Sequence, residues 1–595
     1  MNDRIPSPFL LFDFTDENGC RQPLLFRDPI QIFAVYSIED VYPTLCAIQM
    51  EVNKGLYAAG FLTYEAAPAF DPAFSAAHSH KLPLAWFGIF QEPLQEPHAV
   101  LAKPFAGTGE FHFMPWESTV SKEEYASKMQ RIKDAIGRGE TYQLNYTMRL
   151  RSHFSGDDFA YYQLLRAAQK GNYSAYLNIG SHRILSASPE LFFHVKDRQV
   201  ATRPMKGTAK RGRWFEEDQE MAAWLQASDK NRAENVMIVD LLRNDIGRIA
   251  ETGSVHVPAL FELERYPTVF QLTSTVVGQL HTHATWIDVL QALFPCGSIT
   301  GAPKIRTMEL ISEWETAPRE LYCGTIGLIK PNGNAVFNVA IRTMILDAAT
   351  GMAEYGVGGG ITWDSAVEEE YVEAFAKAAL LTEEMPTFEL LETLKMEQRN
   401  YILFKRHLER LQKSAQYFAI PLDLDHVKCK LTDYANSFSA EEVRRVRLLV
   451  TQSGQVRIES TPLPAILAAS SGESKAVALA QTAISKNNRF LYHKTTHRSM
   501  YEAHRSASDR IFDVLLWNED EEITEFINGN VVVQIDGQKL TPPVACGLLP
   551  GTMRAQLLAD GRIEEKRLTR SDIRRAEHIW FINSVRGCVP VHLEE

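Results

Sequence analysis

Long hydrophobic runs are missing from these 595 residues. No apolar stretch approaches the ~20 residues that a membrane-spanning helix needs. The opening segment MNDRIPSPFLLFDFTDENG has a short apolar burst and no secretory cleavage pattern. Excess positive charge is missing too: 62 basic against 74 acidic residues leave −12, which argues against nucleic acid or an anionic membrane as partner. Cysteine is scarce, and the seven present are an odd number without metal-ligand spacing, so a reducing cytoplasm is the expected compartment. Internal repeats and extended low-complexity tracts are absent. What is there has a globular balance, 45% hydrophobic and 23% charged, on a chain long enough for two or three domains.

Up to about residue 115, short apolar segments alternate with turns, KLPLAWFGIF reading as a strand and AFSAAHSHK as surface connector. Ser121 opens a helix, with Glu124 in capping-box position and Tyr125, Met129, Ile132 and Ile136 as its apolar stripe. The β-rich segments YSAYLNIG, RILSAS, LFFHV and QVATR follow. Two long helical stretches come next, one from about Glu216 to Ile246 and one from Ser365 to Leu381. In LLTEEMPTFELLETLK, helical periodicity fades, Pro386 intervenes and a strand-like segment restarts. This places a joint near 385 and gives domains 1–384 and 385–595. Past it, Phe404, Leu408, Leu411, Ala415 and Phe418 mark a helix, and TPLPAILAASSGESKA marks a softer joint between two β-rich blocks. The expected fold class is α/β: one large module, then a smaller two-lobed one.

Several residues invite a chemical reading. Glu370 and Glu373 share one helical face, with Lys377 a turn beyond, and Glu234 lies in the other long helix. Carboxylates from two helices suit Mg²⁺, although a solvated acidic face with an ion pair explains the same pattern. Before Glu370, the run Gly358–Gly360 reads as a turn that lets backbone approach an anion. Lys206, in TRPMKGTAKRG, suits a nucleophilic amine if burial depresses its pKa, or else belongs to a basic surface loop. Glu190, in SASPELFF, is a candidate general acid.

The segments QLNYTMRL, SASPELFF, TRPMKGTAKRG, AENVMIVDLLRNDIGR, FPCGSITGAPKIRTMELI, YCGTIG, NVAIRTM and YGVGGGITWDSAVEEEYVEA stand in order between 143 and 374. Together they resemble the chorismate-utilising enzymes, the aminodeoxychorismate synthases in particular. The resemblance implies a large layered unit of two β-sheets flanked by helices, with the active site in a deep cleft. It implies Glu234, Glu370 and Glu373 as the Mg²⁺ ligands, Lys206 as the amine that attacks chorismate at C2, and Glu190 as the acid at the C4 hydroxyl. It implies Thr300, Tyr322, Arg342, Gly358 and Gly359 as groups around the substrate. Gln271 stands where many relatives have histidine, which implies positioning rather than proton transfer. Anthranilate synthases have a small residue at the position of Lys206, and their tryptophan-feedback motif is not clear here. No glutaminase region with a nucleophilic cysteine is present; Cys296, in PCGSITG, belongs to the chorismate-site segment. Ammonia is therefore expected from a separate glutamine amidotransferase.

In the second module, Lys494 begins what reads as a basic helical stretch, FLYHKTTHRSMYEAHR. Glu525 ends a strand in EEITEFINGNVVVQIDGQKLTPP, and GLLPGTMRAQLL turns into a helix at Gly551 and Thr552. A lysine, an acid and an anion-binding helix terminus suit pyridoxal phosphate. Residues 388–595 resemble class IV aminotransferase-fold enzymes, with 4-amino-4-deoxychorismate lyase nearest in character. The resemblance implies Lys494 as the cofactor-linked lysine and Glu525 as partner of the pyridine nitrogen. It implies Arg410, Gly551, Thr552 and Ser584 as phosphate contacts. The family's opening hairpin is not apparent before FELLETLK. The implied function is a two-step conversion of chorismate to 4-aminobenzoate in the folate pathway. An aminotransferase or a cofactor-free docking domain for the glutaminase stays open for the second half, as does a homo-oligomer.

Overall fold

The computed structural model describes residues 7–16, 19–78, 81–94, 109–381, 386–463, 474–505, 508 and 510–594. The joint expected near 385 and the softer one in TPLPAILAASSGESKA fall largely outside the described residues, as do Ser79 and His80 of the AFSAAHSHK connector. Two compact units result: Met1–Lys210 with Ala222–Met385, and Arg211–Met221 with Pro386–Glu595.

Among the described residues, the first unit holds two ten-stranded sheets. One is built on the long strand Gln143–Gly156, which runs antiparallel to Met352–Ile361 over ten paired positions from Met352↔His153 to Ile361↔Leu144. The other carries Met205–Lys210 at its edge against Val269–Gln279. Leu10 and Phe12 of the first sheet share an apolar layer with Ala59, Phe61 and Ile326 of the second. The outer faces are covered separately. Helices Lys122–Gly137, Asp158–Gln169, Lys304–Trp314 and Val367–Ala376 pack on the first sheet. Helices Ile38–Asn53, Asp229–Gly247 and Trp286–Leu293 pack on the second. The expected layered α/β architecture is what the chain forms.

Local detail follows the caps. The Ser121 side chain accepts from Glu124 N–H at 3.1 Å, and Tyr125, Met129 and Ile132 are buried beneath it. The stretch expected as one helix from Glu216 to Ile246 is two, Phe215–Ala227 and Asp229–Gly247. Ser228 has extended backbone between them and caps the second by accepting from Asn231 N–H. The stretch expected from Ser365 to Leu381 shortens to Val367–Ala376, followed by a 3₁₀ turn at Ala379–Leu381.

The second unit has two sheets of its own. A four-stranded antiparallel sheet centres on Leu390–Glu397 and Arg444–Val450 and packs under helices Phe404–Phe418 and Leu424–Asn436. An eight-stranded mixed sheet includes Ile523–Phe526, Asn530–Ile535, His578–Asn583 and Gly587–Leu593. Lys494 does not open a long helix. Leu391 N–H donates to its carbonyl at 2.9 Å and Thr496 N–H donates to Glu389 O at 2.9 Å, so the backbone there is committed to the strand Leu390–Glu397 and its approach. Only Ser499–Glu502 is helical.

The segment Arg211–Met221 is a component of this second unit. Arg211 makes a two-pronged, almost fully buried ion pair with Asp218 at 2.6 and 2.8 Å, and donates to Tyr417 O at 2.8 Å. Tyr417 O–H donates back to Gly212 O at 2.7 Å.

Strand Tyr57–Leu62 supplies a test of the packing. A Cβ on Gly60 would sit 1.9 Å from Trp86 O of the neighbouring strand Ala85–Phe90. Gly60→Ala is expected to pry these strands apart and cost at least ~1–3 kcal/mol. Hydrogen exchange should show lost amide protection across both strands; unchanged protection contradicts the packing.

Candidate active sites

Residues of four elements of the first unit converge on one cavity of about 190 Å³. The strand Met205–Lys210 brings Lys206, the helix Asp229–Gly247 brings Glu234, the helix Val367–Ala376 brings Glu370 and Glu373, and the strand Met352–Ile361 brings Gly358 and Gly359. Glu190, Gln271, Tyr322 and Arg342 line it as well. Thr300 does not: it is fully buried and its hydroxyl donates to Cys296 O at 3.1 Å. The two neighbours before it, Ser298 and Ile299, line the cavity instead.

The glycine run is strand, not the expected turn. Its use is steric. A Cβ at Gly356 would meet the Tyr322 ring at 2.2 Å, one at Gly358 would meet Tyr146 O at 2.2 Å, and one at Gly360 would meet Gln143 Nε2 at 2.0 Å and Lys206 Nζ at 3.0 Å.

Lys206 keeps some accessible surface because it faces the cavity, but protein surrounds it. Burial lowers its pKa, while Glu234 and Glu190 partly offset that. Its carbonyl accepts from Asn235 Nδ2 at 3.2 Å, and Asn235 Oδ1 accepts from Ser274 O–H at 2.5 Å. Asn235 therefore holds the lysine's backbone, one residue after Glu234, and nothing in the sequence had set it apart from helix surface. Glu190 is 3% exposed, and burial raises its pKa to about 7, although Ser298 O–H donates to Oε1 at 2.7 Å and favours the charged form. Cys296 is buried with its pKa raised to about 12 by burial, unsuited to act as a thiolate nucleophile.

The three expected metal carboxylates are held differently. Burial raises Glu234 and Glu370, and Ser365 O–H donates to Glu370 Oε1 at 2.6 Å. Lys377 lowers Glu373 through a 2.8 Å ion pair and also donates to Gly358 O at 2.9 Å. Among the described residues these side chains are not gathered into a preformed cluster of three metal ligands. As a donor set they fit Mg²⁺ by chemistry: three carboxylates, hard oxygen donors, line one polar cavity. Gln271 accepts from Thr208 O–H at 3.2 Å. Arg342, at φ 53°, donates to Lys377 O at 2.5 Å and keeps the rest of its guanidinium on the cavity wall.

A second cavity, about 440 Å³, lies in the second unit and is lined by Arg410, Lys494, Glu525, Gly551, Thr552 and Ser584. Burial, then repulsion from Arg410, lowers the Lys494 pKa to about 8. Burial raises Glu525 to about 8, against hydrogen bonds from Tyr501 O–H at 2.8 Å and Leu549 N–H at 3.1 Å. Asn530 Nδ2 donates to the other oxygen at 3.2 Å. Gly551 caps the helix Thr552–Ala559, and a Cβ there would lie 1.8 Å from Asn530 Oδ1. Glu392 carries no local signal in the sequence. It is buried, which alone would raise its pKa, but Arg410 at 2.7 and 2.9 Å and His407 at 2.6 Å hold it near 2. His407 Nε2 reaches Thr552 Oγ1 at 3.3 Å, so Glu392 orients both Arg410 and the cap of that helix. An amine, an acid of raised pKa and a glycine-opened helix terminus around one cavity fit pyridoxal phosphate.

Residues 14–383 match the family model described as chorismate binding enzyme. The chain belongs to the chorismate binding enzymes. Residues 389–593 match the model for amino-transferase class IV, so this chorismate binding enzyme is fused to a second domain. Aminodeoxychorismate synthase component 1 of Escherichia coli (strain K12) is 43% identical over 262 residues, 44% of this chain and 57% of that protein. Anthranilate synthase component 1 of Methanothermobacter marburgensis is 34% identical over 359 residues, 57% of this chain and 77% of that protein. The chain thus spans less than two thirds of the first curated relatives it matches. Among solved structures, anthranilate synthase component I from Streptococcus pneumoniae is similar with TM-score 0.50 and 28% identity, covering 64% of this chain and 94% of that one. Among the described residues, no helix is long and apolar enough to cross a membrane, and all seven cysteines are free.

Glu190 supplies a pH test. Its pKa is raised from 4.5 to about 7, so between those values the folded chain keeps a proton that the unfolded chain has lost. Stability falls as pH rises through that window. Glu190→Gln should flatten the fall between pH 4.5 and 7 in thermal unfolding of the first unit. An unchanged slope places the buried charge elsewhere.

Proposed function

We propose that the first unit aminates chorismate at C4 and that the second unit converts the 4-amino-4-deoxychorismate into 4-aminobenzoate and pyruvate. The carrying observation is Lys206, a lysine of depressed pKa that shares one cavity with Glu190 and three further carboxylates. Arg342 and Tyr322 on the same walls suit a carboxylate-bearing ring.

In this reading the free amine of Lys206 attacks C2 of chorismate. Both ring double bonds shift, C1=C2 to C1=C6 and C5=C6 to C4=C5, and the C4 hydroxyl leaves as water with the proton of Glu190, which a pKa of about 7 keeps available at neutral pH. Ammonia then adds at C4, both double bonds return, and Lys206 leaves C2. The proton lost by the new amine restores Glu190. Two easier substitutions replace one hard one. Glu234, Glu370 and Glu373 would hold Mg²⁺, which supplies charge stabilisation at the ring carboxylate. Gln271 positions substrate, and the Gly358–Gly359 backbone gives it room. Ammonia comes from a separate glutamine amidotransferase or from solution.

In the second cavity, Arg410, Gly551, Thr552 and Ser584 would hold the phosphate of pyridoxal phosphate, and Glu525 would keep a proton on its ring nitrogen. The cofactor supplies an electron sink for the bond-breaking step. Lys494, near neutrality at a pKa of about 8, takes the substrate's C4 proton and delivers one to the departing enolpyruvyl group, which leaves as pyruvate.

Relatives named as anthranilate synthases make the product of the first unit the point to test. Lys206→Ala is expected to lower aminodeoxychorismate formation from chorismate, Mg²⁺ and ammonium by roughly two orders of magnitude or more. Parental rates overturn the covalent route, and anthranilate as product overturns the assignment.

Purified chain given chorismate, Mg²⁺, ammonium and pyridoxal phosphate should release 4-aminobenzoate and pyruvate in equal amounts. Lys494→Ala should stop at the amino intermediate. Accumulation of that intermediate by the parental protein, with cofactor absorbance present, rejects the lyase step and leaves an aminotransferase.

A further inference from the structure

Lys377 does more in the first cavity than helical spacing to Glu373 requires. It caps the C-terminus of the helix Val367–Ala376. Its ammonium lies 2.8 Å from Glu373 Oε1 and donates to Gly358 O at 2.9 Å. A Cβ on Gly359 would meet Glu370 Oε2 at 3.3 Å and Lys377 Nζ at 3.4 Å, so that carboxylate and the ammonium crowd the same face of the residue. A carboxylate oxygen and a carbonyl oxygen in contact, with a second carboxylate close by, are ligands that suit a hard cation. Lys206, Lys230 and Arg342 line the cavity too, yet among the described residues none of them makes an ion pair with Glu234, Glu370 or Glu373. Lys377 is the cation in direct contact with this set. The pairing turns Glu373 toward an amine, and the three acids are not gathered as metal ligands.

The backbone of Lys377 is fixed, but its side chain has two places to go. Arg342 donates to its carbonyl at 2.5 Å and Tyr355 O–H at 3.4 Å, while its own N–H donates to Glu373 O at 3.1 Å. The side chain is 22% exposed and lines two cavities. The adjoining one, about 300 Å³, shares Glu373 and Arg342 with the first and is also walled by Glu369, Val372 and Leu380. A flexible four-carbon stem lets the amine swing from one cavity to the other without moving the helix. The helix C-terminus favours a cation in either place.

Resting on the reading of these three acids as Mg²⁺ ligands, we propose that Lys377 is a built-in stand-in for the metal. It balances Glu370 and Glu373 in the metal-free chain and swings into the adjoining cavity when Mg²⁺ binds. Two neighbouring carboxylates without a counter-charge repel each other, and the ammonium relieves that repulsion until a metal ion does so. Lys377 therefore acts with opposite signs in the two states: it stabilises the metal-free chain and competes with the metal.

The test uses the full chain and reads metal and lysine apart from turnover. Mn²⁺, which takes the same carboxylate ligands as Mg²⁺, is titrated by electron paramagnetic resonance, and the component lost in Glu234→Gln is the one read. Lys377→Met keeps an apolar stem and removes the charge. This variant should bind Mn²⁺ about tenfold tighter than the parental chain. It should also unfold at a lower temperature than the parental chain in EDTA, but not in saturating Mg²⁺. In the parental chain, pulse acetylation with acetic anhydride is read at Lys377 by peptide mass spectrometry. It should rise about threefold or more when Mg²⁺ replaces EDTA, because the amine gives up its two acceptors and becomes the better nucleophile. Unchanged acetylation, or equal Mn²⁺ affinity in Lys377→Met, overturns the inference. Failure of Mn²⁺ to bind the parental chain overturns it together with the metal reading. Release of Lys377 by Mg²⁺ in a chain that forms no aminodeoxychorismate leaves the inference standing and overturns the proposed reaction.

Discussion

The first cavity depends on backbone without side chains. Along Met352–Ile361, glycine at 356, 358 and 360 leaves the space that Tyr322, Tyr146 O, Gln143 and Lys206 occupy. Alternate residues of a strand point to one face, so three glycines at this spacing clear a single face of the sheet. Lys206 and Tyr322 stand on that face, while Glu370 and Lys377 approach the same strand at Gly359, which points the other way. Glycine in a strand sacrifices packing and backbone entropy, and here that cost lets Tyr322, Gln143 and Lys206 come up against the strand at the cavity wall.

Both cavities use burial to push an amine's pKa down and a carboxylic acid's up. Lys206 is lowered and Glu190 raised to about 7; Lys494 is lowered to about 8 and Glu525 raised to about 8. Desolvation is the leading cause in all four, and it acts in opposite directions on bases and acids. Of the four, Glu190 and Lys494 are the ones the proposed steps use to move a proton, and a pKa of about 7 or 8 suits both directions of transfer. Glu392 shows the opposite arrangement: two cationic or polar partners overcome its burial and fix it as a carboxylate, fit for orientation and not for proton transfer.

Much of this was legible in the sequence where one residue's chemistry combined with a local pattern. Glu370 and Glu373 at helical spacing, the Ser121 cap, the helix under Phe404 and Leu411, and Gly551 opening a helix are all local, and the fold reproduces them. What stayed hidden depends on pairing at long range. The glycine run resembles a turn until Gln143–Gly156 is laid beside it. Lys494 looks helical until Leu391 N–H claims its carbonyl. Thr300 looks like a ligand contact, yet its hydroxyl turns back to Cys296 O. Asn235 and Glu392 carry no local signal, because their importance lies in what stands across from them: the Lys206 carbonyl and the Arg410–His407 pair.

The same limit applies to the second unit's edges. A joint near 385 is the natural reading of a chain that loses helical periodicity and meets a proline, but compactness is not contiguous in sequence. The second unit includes Arg211–Met221, fixed there by the buried Arg211–Asp218 pair, by Arg211 stacked 4.6 Å from the Tyr417 ring centroid, and by Trp214 packed 5.2 Å from Tyr492. Tyr417 and Tyr492 in turn flank His493, the residue before Lys494, with the Tyr417 and His493 rings 4.2 Å apart. Without residues 211–221, Tyr417 O–H would lose its acceptor and Tyr492 its apolar cover. A buried hydroxyl without a partner costs about 1–3 kcal/mol. The body that holds Lys494 is therefore assembled from two separate stretches of chain, and a boundary drawn from sequence periodicity alone leaves one of them out.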